Sequence, residues 1–255
     1  MKKQILFLTF LLFSTHTLAE NGHFYANESY TISRKRLFDE IYSDYKKTLY
    51  CQIPFDENGK LSFPEGFDMS KIADRVQRIE IEHVISAERF GSYIKQWWNG
   101  DALCVDKDKK PYKGRRCAEK TSRLFRLMQS DMYNLFPSVG SINALRGNLD
   151  FNEFPAYIPS LYQNCTIKIA DGKIEIPDTA KGVVARVYLY FKQQYPFFEL
   201  SQQEITLFQK WHKTFPVTKW ECDRTYKIEQ IQHNENKVIK QQCIEKQLWP
   251  IERKE

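Results

Sequence analysis

Beyond residue 13 this chain has no long apolar run, so nothing there can cross a hydrocarbon core, which takes about 20 residues. It has no Gly/Ser-rich or Pro-rich linker and no internal repeat, which points to one domain rather than a string of them. No Cys-x-x-Cys occurs, which argues against a zinc ribbon or a thioredoxin-like redox pair.

What is present begins with the N-terminus. Lys2 and Lys3 form a positive start, Ile5 to Phe13 an apolar stretch, and Thr17-Leu18-Ala19 a small-residue cleavage site. Residues 1–19 are therefore expected to be a secretory signal peptide, and residues 20–255 the mature domain. The apolar stretch is too short for a membrane anchor. Loss of two lysines and no acids lowers the formal charge from +6 to +4. That permits a polyanionic partner without demanding one. Aromatic residues, 15% of the chain, are spread along it and read mainly as core.

Export makes the cysteines readable. There are six, and six allow about 15 connectivities. Cys104 and Cys117 flank a charged, turn-rich segment and read as a clipped loop. Cys222 and Cys243 flank a helical pattern, which leaves Cys51 with Cys165.

The apolar spacing predicts a helix over 32–50, a short strand over 60–63 and a strand over 75–85. A short helix is expected within 86–98 and a longer one over 123–135. Residues 139–148 read as an irregular polar loop. The last third is mainly helical, with Ser201-Gln-Gln-Glu204 as a capping box.

Chemistry concentrates at Glu82-His83, where a hard oxygen ligand adjoins a proton acceptor. A carboxylate with waters suits Mg²⁺, and an imidazole is the usual general base near neutral pH. On a regular strand these two side chains would face apart, so both can serve one site only if the strand ends or twists there. Sixty positions on, Ser138-Val139-Gly140-Ser141-Ile142-Asn143 offers an amide oxygen beside small residues. Arg115 and Arg116, next to Cys117, could present a guanidinium to a phosphate. Each has a plainer use: a hydrogen-bonded core histidine, a turn asparagine, a solvated basic loop.

Taken together, Ile79-Glu80-Ile81-Glu82-His83-Val84-Ile85-Ser86-Ala87, Met128-Gln129-Ser130-Asp131-Met132-Tyr133-Asn134-Leu135-Phe136-Pro137 and Asn143-Ala144-Leu145-Arg146-Gly147-Asn148 resemble the bacterial endonuclease I family. Weaker similarity continues through Ala185–Tyr188 and Pro216–Cys222. These periplasmic and extracellular DNases belong to the ββα-metal, or His-Me finger, nucleases. The resemblance implies an α+β, mainly helical, disulfide-bridged single domain around a ββα-metal core. It implies His83 as general base, and Glu82 and Asn143 as ligands of one Mg²⁺ (Mn²⁺ or Ca²⁺ as alternatives). Arg115, with Arg116 as neighbour, would hold the phosphate. It also agrees with pairing Cys51 to Cys165. DNA in single or double strands, and RNA, are the implied substrates, with 5′-phosphate products. A monomer in the periplasm or outside the cell is expected. Ile81 replaces the family's usual Trp, Ser86 its Pro, and Gln129 stands where some members have a glutamate. The alternative is an exported, non-catalytic nucleic-acid-binding protein on the same fold.

Overall fold

The computed structural model describes residues 28–67 and 77–250. The expected signal peptide lies outside them, as does the start of the strand predicted from residue 75.

Helix α1 (Tyr30–Arg36) starts where the Ser29 hydroxyl accepts from the Ile32 amide. It widens into a π-turn over Leu37–Ile41 and stops there, well short of residue 50. The widened turn, closed by Tyr42 N–H on the Leu37 carbonyl, sinks Leu37, Ile41 and Tyr42 together into the core. Tyr45 and Leu49 keep the four-residue spacing without the helix. Instead the chain folds back on itself, Lys47 opposite Pro54 and Phe55 opposite Leu61. The strand expected over 60–63 is reduced to that second bridge.

Strand β1 (Ile79–His83) is followed by helices α2 (Ala87–Gly91), α3 (Lys95–Asn99), α4 (Arg115–Thr121) and α5 (Arg123–Ser130), then a 3₁₀ turn over Met132–Asn134. Strand β2 (Leu135–Val139) pairs antiparallel with β1, Glu82 opposite Phe136 and His83 opposite Leu135. Helix α6 (Gly140–Arg146) leaves β2 with no loop between them. The polar loop expected over 139–148 is thus mostly helix. Gly140, Ser141 and Asn143 are weak helix formers, and packing against β1 overrides their preference.

Strands β3 (Asp150–Phe151), β4 (Lys168–Ala170) and β5 (Lys173–Glu175) form a small second sheet in the order β3-β5-β4. The remainder is helical: α7 (Asp178–Gln194), α8 (Gln202–Thr214), α9 (Lys219–Gln232) and α10 (Lys237–Glu245). The Ser201–Glu204 capping box is formed in both directions. Helix α7 is the central pillar. Val184, Val187, Tyr188 and Phe191 are all buried, and Tyr188 stacks on Phe208 of α8 at 4.2 Å. One large core joins the hairpin to these helices. The architecture is α+β, with a ββα unit of β1, β2 and α6 held on a helical body. Among the described residues no helix is long and apolar enough to cross a membrane.

Three disulfides close the fold: Cys51–Cys165, Cys104–Cys117 and Cys222–Cys243. The first spans 114 residues and removes the most freedom from the unfolded chain, about 4.7 kcal/mol on a loop-entropy model. The second spans 13 and is worth about 3 kcal/mol on the same basis.

Candidate active site

Alternation along β1 sends Glu80 and Glu82 to one face, the face on which α6 packs. Asn143 and Arg146, three residues apart on α6, meet them in turn. Asn143 Nδ2 donates to Glu80 Oε2 at 2.8 Å, and Arg146 Nε lies 3.4 Å from Glu82 Oε1. The Asn143 amide nitrogen is therefore spent on Glu80. That bond fixes the amide the right way round, because a carboxylate only accepts. The Asn143 oxygen takes no hydrogen bond among the described residues.

Glu82 is almost fully buried, at 2% exposure. One oxygen, Oε1, accepts from the Tyr50 hydroxyl at 2.6 Å and faces Arg146. The other has no partner among the described residues. Burial holds the Glu82 carboxyl above its ordinary pKa, opposed by Arg146 and Tyr50, with Glu80 adding to the rise. Tyr50 sits on a tight turn in which Thr48 N–H bonds the Ile53 carbonyl, and Leu49 N–H reaches the Pro137 carbonyl of β2. The Cys51–Cys165 bridge anchors the next residue.

The strand ends at His83, and Arg146 marks the end. Its Nη1 donates to the His83 carbonyl at 3.1 Å and its Nη2 to the Val84 carbonyl. Asn134 then takes over the edge, its side chain bonding both the amide and the carbonyl of Ile85. The imidazole of His83 lies among different neighbours from Glu82. Tyr30 stacks on it at 5.4 Å and Phe90 lies at 5.9 Å. Nε2 is 2.9 Å from the Gln129 carbonyl. A carbonyl only accepts, so Nε2 carries the proton and Nδ1 the lone pair. Burial pulls the His83 pKa down to about 4, against the pull of that hydrogen bond, with Arg115 and Arg146 lowering it further. The ring is neutral at pH 7.

Gln129 links this ring to Arg115. Its Oε1 accepts from Arg115 Nε at 3.2 Å, while its Nε2 donates to Glu119 Oε1 at 2.9 Å. An amide can do both, where a glutamate at this position could only accept. Arg116 turns elsewhere, its guanidinium over the Tyr112 ring at 4.2 Å. Of the two arginines, Arg115 is the one joined to the His83 neighbourhood.

Sequence reasoning missed Glu80, Tyr50 and Tyr30, and did not assign Arg146 a task. Glu80 was findable: two residues from Glu82 on a strand means the same face. Tyr50 and Tyr30 come from 32 and 53 residues upstream and carry no local signal.

The donor set fits a divalent cation that keeps most of its waters. Glu82 and Asn143 each offer one hard oxygen without a partner among the described residues, on adjoining elements of one face. Among the described residues no group of three or more His, Cys, Asp and Glu gathers as a metal cage, and a closed zinc site would need one.

The Endonuclease I family pattern matches residues 16–243. An extracellular deoxyribonuclease of Aeromonas hydrophila is 33% identical over 216 residues, covering 82% of this chain and 88% of that protein. A periplasmic deoxyribonuclease of the same organism is 32% identical over 211 residues, covering 80% and 82%. Endonuclease-1 of Buchnera aphidicola subsp. Baizongia pistaciae is 32% identical over 252 residues, covering 94% and 95%. On that coverage, the chain belongs to the Endonuclease I family.

Proposed function

We propose that this protein is a metal-dependent endonuclease that hydrolyses phosphodiester bonds of DNA with little regard to sequence, and acts in the periplasm or outside the cell. The observation that carries the reading is the state of His83: a neutral ring, its proton held on Nε2 by the Gln129 carbonyl, with a lone pair left on Nδ1. Nδ1 takes a proton from water as that water attacks phosphorus, the P–O3′ bond breaks, and the departing O3′ takes its proton from solvent. Tyr30 and the Gln129 carbonyl hold the ring plane during the transfer.

Glu82 and Asn143 would hold a divalent cation such as Mg²⁺, which when bound would supply positive charge against the phosphate. Tyr50 and Arg146 fix the Glu82 carboxylate so that one oxygen remains for the metal. Arg146 also keeps the strand end in place, which sets the spacing from Glu82 to His83. Arg115, steadied by Gln129, holds the phosphate and meets charge that grows on it in the transition state. Cleavage leaves 5′-phosphate and 3′-hydroxyl ends. Single and double strands, and RNA, present the same phosphates to these groups, so recognition of backbone gives affinity without sequence choice. The enzyme works as a monomer.

The test is plasmid nicking by the purified, oxidised protein with Mg²⁺ and with EDTA, beside His83→Ala. Nicking needs metal and falls about 10³-fold in the variant, while retardation of DNA on a gel persists. Equal nicking by His83→Ala removes it as base. Retardation without nicking by the wild type favours the non-catalytic binding protein.

A further inference from the structure

Residues 95–116 carry seven Lys or Arg against three Asp. The same segment presents three exposed large apolar side chains: Trp98 at 55%, Leu103 at 65% and Val105 at 42% exposure. Neither the charge nor the apolar area serves the core.

The segment is held in shape. Cys104–Cys117 clips its base, Val105 bridges Pro111, and Tyr112 N–H bonds the Cys104 carbonyl at 2.8 Å. Asp106 turns its carboxylate onto the Asp108 and Lys110 amides at 2.8 and 2.9 Å. That leaves Lys107, Lys109, Lys110 and Lys113 pointing to solvent. The Trp98 indole N–H is spent on the Ser92 carbonyl at 2.8 Å. The ring is therefore pinned while more than half exposed. The Arg116 guanidinium lies over the Tyr112 ring, 4.2 Å from its centroid.

The segment is also joined to the site. Gly114 N–H bonds the Trp97 carbonyl at 2.9 Å. Trp98 and Arg115 are the residues next to the two ends of that bond. That bond brings the backbone of the Trp98 segment against the backbone that leads into Arg115.

Pinned aromatic surface ringed by cations is what an unpaired nucleic-acid strand needs: rings for its bases, charges for its phosphates. A second copy of this chain would bring like charge against like. We propose that Trp98, Leu103 and the Tyr112–Arg116 stack form a platform for unpaired bases flanking the scissile phosphate, with Lys107, Lys109 and Lys110 on the strand's backbone. The inference rests on the nuclease reading and adds a substrate preference to it: single-stranded or locally opened nucleic acid. Paired bases hide the faces that the platform would stack.

The experiment uses the full oxidised protein. In EDTA, binding of a fluorescein-labelled single-stranded 20-mer is followed by anisotropy for wild type, Trp98→Ala, Trp98→Phe and the triple Lys107/Lys109/Lys110→Gln variant. Trp98→Ala weakens binding about tenfold, Trp98→Phe restores most of it, and duplex binding changes less. The triple variant flattens the log–log salt slope by about 2. With Mg²⁺, Trp98→Ala raises KM on single strands and leaves hydrolysis of bis(p-nitrophenyl) phosphate, too small to reach the platform, unchanged. Unchanged single-strand affinity in Trp98→Ala overturns the platform. So does a loss confined to binding of phosphatidylglycerol vesicles, which would make the patch a membrane contact. Absence of Mg²⁺-dependent cleavage by the wild type would instead strike the nuclease reading, while the anisotropy result still judges the platform.

Discussion

Two buried glutamates each face a buried arginine in this molecule, and they are finished differently. Glu221 of α9 meets Arg186 of α7 in a two-point contact, 2.6 Å at each oxygen, and the same guanidinium also reaches the Phe215 carbonyl. Gly182 makes that approach possible, since a Cβ there would lie 2.2 Å from the Phe215 carbonyl and 2.8 Å from Arg186 Nη2. Glu82 meets Arg146 at one oxygen only, at 3.4 Å, and Arg146 Nε makes no hydrogen bond among the described residues. The rest of that guanidinium goes to backbone carbonyls at the end of β1. One pair is closed and holds two helices together. The other is left open, with a carboxylate oxygen and an amide oxygen unclaimed by the described protein groups. Folding alone does not ask for that incompleteness. A cation does.

The contrast can be broken at either pair. Glu82→Gln keeps the volume and the Tyr50 contact but loses the anionic ligand. Cleavage should fall about 10³-fold and half-activation should need more Mg²⁺; an unchanged Mg²⁺ titration would take Glu82 out of the metal site. Glu221→Gln should do the reverse. It strands a buried guanidinium and costs about 3–5 kcal/mol of stability, read as a lower urea midpoint, with kcat near wild type at temperatures where the variant is folded. If Glu82→Gln proved the more destabilising of the two, the open-versus-closed distinction would fail.

Finer cuts follow. Arg115→Ala should lower kcat about 10²-fold, and Arg116→Ala should leave kcat alone, because only Arg115 is tied through Gln129 to His83. Equal effects would erase that assignment. The smallest effect concerns His212, beside the closed pair. Its Nε2 accepts from Gln242 Nε2 at 3.0 Å, and Gln242 Oε1 is taken by the Val217 amide, so the amide cannot turn round. Burial, then the Arg186 charge, lowers the His212 pKa. The unfolded chain binds a proton here before the folded one does. Stability is thus full above about 6.5, the ordinary value, and is lost as pH falls below it towards the depressed folded pKa. Thermal melts across pH 7 to 5 should show a shallower decline in His212→Gln than in wild type; parallel curves would contradict the linkage.

Much of this was legible beforehand, for identifiable reasons. The alternation before Glu82-His83 marked β1, and the Ser201–Glu204 box marked the start of α8, because both signals are local. Helix α6 was hidden because its first half, Gly140-Ser141-Ile142-Asn143, is poor in helix formers, and its packing on β1 and β2 is not visible in sequence. The helix predicted to residue 50 kept its spacing but lost its hydrogen bonds to a widened turn. The site's supports were the least readable part. Tyr50 bonds across 32 residues and Arg146 across 62, and nothing in a stretch of sequence reports such a partner.

Tyr50 and Cys51 are neighbours, and that adjacency ties the Tyr50 turn to a bond that needs oxidising conditions. The hydroxyl that steadies Glu82 is carried by a turn whose next residue is tethered to Cys165. In a reducing compartment that tether is not made. A copy kept there would carry the Tyr50 turn on its hydrogen bonds alone, without the covalent tether. The full set of restraints on that turn is thus a matter of address: it is completed only where the thiols are oxidised.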